Sequence, residues 1–193
     1  MKNDFIAAST LQFEYYKSLG DKTFDQLTEE ELLLQPNESS NSIAVIVNHM
    51  NGNMLSRWTD FLTTDGEKEW RNRDSEFEDV IQSEKVLLEK WNEGWACVFD
   101  ALQSINEENF EQLIYIRNQG HSITEAVLRQ LGHYSYHVGE IVFLGKMIKG
   151  EQWQSLSIPK GKSASYNSEK FNKEKRKEHF TKEFLNNPFD KKP

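Results

Sequence analysis

The chain has a single cysteine, Cys97, in 193 residues, so no internal disulfide can form. That fits a reducing compartment, and a cytoplasmic location is expected. No stretch approaches the roughly 20 apolar residues a membrane span requires. The start, "MKNDFIAASTLQFEYY", has no long apolar run and no cleavage-site pattern, so no secretory signal is read there. The chain lacks a glycine-rich phosphate loop and a G-x-S-x-G nucleophile elbow. It has little positive charge: the formal net charge is −8, which repels phosphate backbones and argues against nucleic-acid binding. The basic run "KFNKEKRK", residues 170–177, reads as a solvated tail helix.

Helices dominate what remains. Residues 4–20 run without a breaker until Gly20. "TEEELLLQP" follows as a short helix, with Thr28 and Glu31 at capping-box spacing and Pro36 beyond it. After "PNESSNS", Asn41 or Ser42 can cap a second long helix reaching about residue 64. "DGEKEWRNRDSEFED" has no apolar periodicity and reads as a loop. In residues 83–104, Val86, Leu87, Trp91, Trp95, Val98, Phe99 and Leu102 mark one apolar face of a third helix. Residues 113–120 suggest a small hairpin, turning at 118–120. Ser122 and Glu125 form a capping box that opens a fourth helix, which Gly150 ends. Four long helices imply an all-α four-helix bundle over residues 1–153. A polar arm, 154–193, would pack on the bundle or on a partner subunit.

The fourth helix carries "GHYSYHVGEIVFLG". His133 and His137 stand at i and i+4 and share a face, and Glu140 falls near the same stripe. Leaving such groups buried and unpaired would cost several kcal/mol. A metal ion would satisfy them, since paired imidazoles at this spacing suit zinc on a helix. His121 lies roughly 18 Å from His133 along one helix and cannot share an ion with it. His179 sits in the charged tail. His49, in "SIAVIVNHMNGNML", is the remaining third ligand, and Asn53 and Arg57 continue its stripe. Gly52, Gly132 and Gly139 stand beside the histidines, either for close helix packing or to leave room for an ion and substrate. Tyr134 and Tyr136 flank the pair and read as packing, or one of them as a proton donor. Cys97, in "WACVF", reads as an inert thiol. The tryptophans read as core or pocket walls.

This arrangement resembles the DinB/YfiT-like family of metalloenzymes: four-helix bundles with one histidine on the second helix and an H-x-x-x-H pair on the fourth. The matching segments are "VNHMNGNMLSRW" and "LGHYSYHVGEIV", within a similarity spanning about 4–150. "SIPKGKSASYN" is similar to a DinB-like subfamily of unassigned function. Many members carry glutamine where this chain has Glu140, so the carboxylate could be a fourth ligand, a partner of a ligand, or a general base. Three histidines leave coordination positions open, and nitrogen ligation suits zinc, nickel or iron(II). The resemblance implies a bacterial transferase activating a low-molecular-weight thiol such as bacillithiol for attack on an electrophile. Arg57 would hold a carboxylate of the thiol, or else form a surface ion pair. The resemblance also implies a homodimer. Two other readings remain open: a hydrolase using metal-bound water with Glu140 as base, or a stress-associated metal-binding bundle without catalysis.

Overall fold

The computed structural model describes residues 2–185. The chain is mostly helical: α1 (Lys2–Phe24), α2 (Glu29–Leu33), α3 (Ile43–Trp58), α4 (Glu84–Ser104), a hairpin of β1 (Leu113–Ile116) and β2 (Gln119–Ser122), α5 (Ile123–Lys149), α6 (Ser163–Phe171) and α7 (Lys182–Leu185). The α3 helix packs on α4 and α1 packs on α5, while α3–α5 and α1–α4 contacts close the set around one apolar core. Phe13, Trp91, Trp95 and Tyr134 fill its middle, largely as edge-to-face rings. Burying each such side chain stabilises the fold by about 1.5–3 kcal/mol.

Local signals explain most helix starts. Ser42 and Ser83 accept from the backbone N–H three residues on. The capping boxes form at Thr28/Glu31 and at Ser122/Glu125. Gly150, with φ +56°, ends α5.

Several expectations need correction. The α1 helix runs four residues past Gly20, because that glycine is a packing position: any side chain there would collide with the Trp91 ring. The α3 helix stops at Trp58, not residue 64, because the chain reverses at Asp60 in a left-handed conformation, φ +47°. The hairpin turns at Arg117 and Asn118, both left-handed, and Gly120 belongs to β2. Asp65 fixes this turn by accepting both backbone N–H groups at 2.8 Å. The basic run leaves the helix at Phe171 and continues as exposed irregular chain. Trp70 is an exposed loop residue that borders a surface pocket with Arg71 and Glu76 and takes no part in the core. Gly132 and Gly139 are exposed, with nothing within 4 Å of an added Cβ, so neither packs a helix within the chain.

The arm folds back on α1. Tyr15 meets Phe180 and Phe184, and Lys22 donates to the Phe184 carbonyl. Residues 186–193 of the arm lie outside the described part.

The α3 helix is buried almost all round, polar residues included. One side meets α4 and another meets α5, while the 3-10 turn at Asp74–Phe77 packs against it as well. A helix enclosed in this way can present His49, Asn53 and Arg57 to an interior cavity.

Candidate metal centre

His49 projects from the middle of α3, and His133 and His137 from successive turns of α5. Their ligating atoms lie within 4.8 Å of one another, the only such cluster of histidine, cysteine and carboxylate groups among the described residues. The Nε2 of His133 stands 3.4 Å from that of His49 and 3.0 Å from that of His137. Three nitrogens on a tetrahedral ion with bonds of about 2.0–2.1 Å would be roughly 3.3–3.4 Å apart. The spacing therefore fits a metal ion.

The other ring nitrogens sharpen the fit. Nδ1 of His49 meets a Glu76 carboxylate oxygen at 2.8 Å, and Nδ1 of His137 meets Glu140 at 2.7 Å. A carboxylate accepts, so each Nδ1 carries the hydrogen and each Nε2 offers a lone pair. Two lone pairs then face His133. Burial, with the neighbouring His137, His49, Arg57 and Arg71, holds the His133 imidazolium down to about 3, so the ring is neutral. A neutral ring has one N–H and can serve only one neighbour. A cation at the centre satisfies all three. Burial also lowers His137, against the opposing pull of Glu140.

The two braces differ in their surroundings. Glu76 is buried, and Arg71 grips it through Nε at 2.6 Å and a terminal nitrogen at 2.9 Å. Burial works to raise the Glu76 carboxyl, but hydrogen bonds from His49 and Arg71 and the Arg71 charge outweigh it and hold it low. Gly52 makes room for this carboxylate: a Cβ there would stand 2.5 Å from Glu76 Oε1. Glu140 is half exposed, and its proximity raises the Tyr136 hydroxyl above its ordinary pKa.

A cavity of about 370 Å³ opens over the three histidines. Five arginines line it: Arg57, Arg71, Arg73, Arg117 and Arg129. Glu67 takes up Arg57, Arg71 and Arg117 at 3.1–3.4 Å. Arg73 lies over Phe77, which stacks on the His49 ring, and Arg129 has no acidic partner among the described residues. Arg57 is buried rather than a surface cation, and it also donates to the Gly66 carbonyl. Burial, then the Arg71 charge, lowers its pKa. Asn53 lines the cavity and accepts from Tyr134, whose hydroxyl in turn accepts from Trp58. That chain ties α3 to α5 beneath the site. Tyr134 is therefore a packing residue, and Tyr136 stands at the cavity rim.

His121 pairs across the hairpin with Ile114, and His179 contacts Thr181, so neither joins the centre. Cys97 is half-buried against Thr59, and burial raises its thiol. It borders a larger groove of about 630 Å³ that holds no ligand cluster among the described residues.

The family model described as "Protein of unknown function (DUF1572)" matches residues 1–162. The chain belongs to this family. No curated protein and no solved structure matches it. The DUF1572 match takes in α1 to α5, hence all three histidines, both bracing carboxylates and the five cavity arginines.

Sequence reasoning reached the histidines, Asn53, Arg57 and Glu140. It missed Glu67, Arg71, Arg73, Glu76 and Phe77, all in the segment read as a loop. The available signal was the alternation of arginine and glutamate there, opposite a buried histidine.

Proposed function

We propose that this chain is a metal-dependent transferase, built as a DinB/YfiT-like four-helix bundle, that activates a low-molecular-weight thiol for attack on an electrophile. His49, His133 and His137 would hold a divalent ion, with zinc, nickel and iron(II) all compatible with three imidazoles. The ion would supply Lewis acidity that lowers the pKa of a thiol beside it. The observation that carries the reading is the convergence of three Nε2 atoms on the floor of an arginine-lined cavity.

The chain's own residues have distinct tasks in this reading. Glu76 and Glu140 keep the Nδ1 protons in place and aim the lone pairs inward. Arg73 and Arg129, uncommitted to carboxylates, would bind the acidic groups of a thiol such as bacillithiol. Arg57 and Asn53 would set the floor of the cavity. The protein would act on small molecules in the cytoplasm.

The occupied carboxylates favour thiol transfer over hydrolysis. Glu140 and Glu76 are both engaged with histidine Nδ1 atoms, which leaves neither placed as a free general base for water. The test is loss of a chromogenic electrophile with the metal-loaded protein and a panel of thiols. Turnover that requires one carboxylated thiol and falls with Arg129→Ala supports the proposal. Turnover of esters or amides with water alone would replace it with a hydrolase, and silence with every thiol would leave a non-catalytic metal bundle.

A further inference from the structure

Trp70 stands 60% exposed, although its neighbour Arg71 is drawn inward onto Glu76. Its side chain borders a second pocket, of about 260 Å³, with the half-exposed Val80 as another apolar edge. One face of α3 lines the same pocket through Asn48, Asn51 and Gly52, at i, i+3 and i+4. Arg71 lines both this pocket and the metal cavity, and it holds the Glu76 carboxylate that braces His49. The two spaces therefore lie on opposite sides of that brace.

The amides at this pocket are set in one orientation. Asn48 is 7% exposed and Asn51 5%. Asn48 Nδ2 donates to the Glu76 carbonyl at 3.0 Å, and Asn51 Nδ2 donates to the Lys90 carbonyl at 2.9 Å and to Glu93 at 3.0 Å. Those bonds use the N–H groups and leave each Oδ1 without a donor among the described residues. Neither oxygen is sealed in the interior, where the unpartnered side-chain atoms among the described residues are Trp95 Nε1 and His121 Nε2. The small opening each asparagine keeps is onto the pocket it lines. Buried acceptors held without a donor are a cost unless something that enters can supply one.

We infer that this pocket binds a single sugar ring, a pyranose, at a site separate from the metal cavity and independent of its chemistry. The volume is below the roughly 300–1,000 Å³ of sites for drug-sized ligands, so one ring fills it. The two Oδ1 atoms call for donors, which a hydroxyl or an ammonium can supply. Lys90 adds a positive charge to the pocket, and Glu76 is already engaged by Arg71 and His49, so an ammonium has no carboxylate to meet. Hydroxyls remain. A flat base would ask for amide donors as well as acceptors, and here the amide N–H groups of Asn48 and Asn51 are taken. The indole of Trp70 offers its electron-rich face to the C–H side of a sugar ring, while the hydroxyl edge turns to the asparagines.

The test titrates the full chain with glucose, galactose and mannose, read by saturation-transfer NMR. At least one sugar should bind saturably. Trp70→Ala should weaken that binding about tenfold or more, and Trp70→Phe, which keeps a ring face, should weaken it less. Helical content should not change in either variant, since Trp70 takes no part in the core. Binding should persist in His133→Ala, because His133 lines the metal cavity and not this pocket. No saturable binding of any of the three sugars, binding indifferent to Trp70→Ala, or binding lost in His133→Ala would each overturn the proposal. So would Trp70-dependent binding of choline in place of a sugar, the result expected if the indole served a cation.

Discussion

The two sides of the centre hold their histidines with the same device in different surroundings. On α3, His49 leans on Glu76, whose side chain is 7% exposed and which is clamped by Arg71 at 2%. On α5, His137 leans on Glu140, three residues along the same helix and 38% exposed. The hydrogen bonds are nearly equal in length, 2.8 and 2.7 Å. What differs is the cost of disturbing them. A buried charge that loses its partner cannot turn to water, whereas an exposed one can. The α3 side is therefore the fixed wall of the site, and the α5 side is the adjustable one.

The largest effect should come from Arg71→Ala, which strands the Glu76 carboxylate in the interior. Unfolding in urea should show a loss of about 3–5 kcal/mol. A loss below about 1 kcal/mol, the level of an exposed pair, would erase the contrast between the two sides. Next comes Glu76→Gln. It keeps the shape but weakens the hold on Nδ1 of His49, and metal affinity by competition titration should fall about 10–100-fold. Gly52→Ala should mimic part of this loss with no change of charge, since its Cβ displaces Glu76. Unchanged metal affinity in Gly52→Ala would mean that the Glu76 position is not critical. The smallest effect should be that of Glu140→Gln, less than about tenfold in affinity because water can replace the exposed carboxylate. Equal losses for Glu76→Gln and Glu140→Gln would break the comparison.

The same contrast marks what was legible in the sequence. Glu140 was visible because it sits on the helix of its histidine, at a spacing that helical geometry turns into a contact. Glu76 was not, since it lies 27 residues from His49 in a stretch without apolar period. Periodicity reports burial of apolar faces, and a polar segment that folds over a helix to form ion pairs leaves no such trace. The starts of α3 and α5 were legible because Ser42 and Ser122 act on groups three residues away. Helix ends were less so. Gly20 looked like a stop, but its meaning depends on Trp91, a residue on another helix. The end of α3 depends on a left-handed Asp60, which propensity does not mark. The histidine cluster was legible from the residues by exclusion, and the resemblance then paired α3 with α5. From the residues alone, His49 was the candidate left after the others were excluded.

Metal content decides the central claim most directly. The untagged protein, purified without nickel columns and offered zinc, nickel and iron(II), should carry one equivalent of metal by mass spectrometry. His133→Ala should carry none while keeping its helical signal. Metal absent from the parent under all three conditions, or retained in full by His133→Ala, would contradict a centre built from His49, His133 and His137.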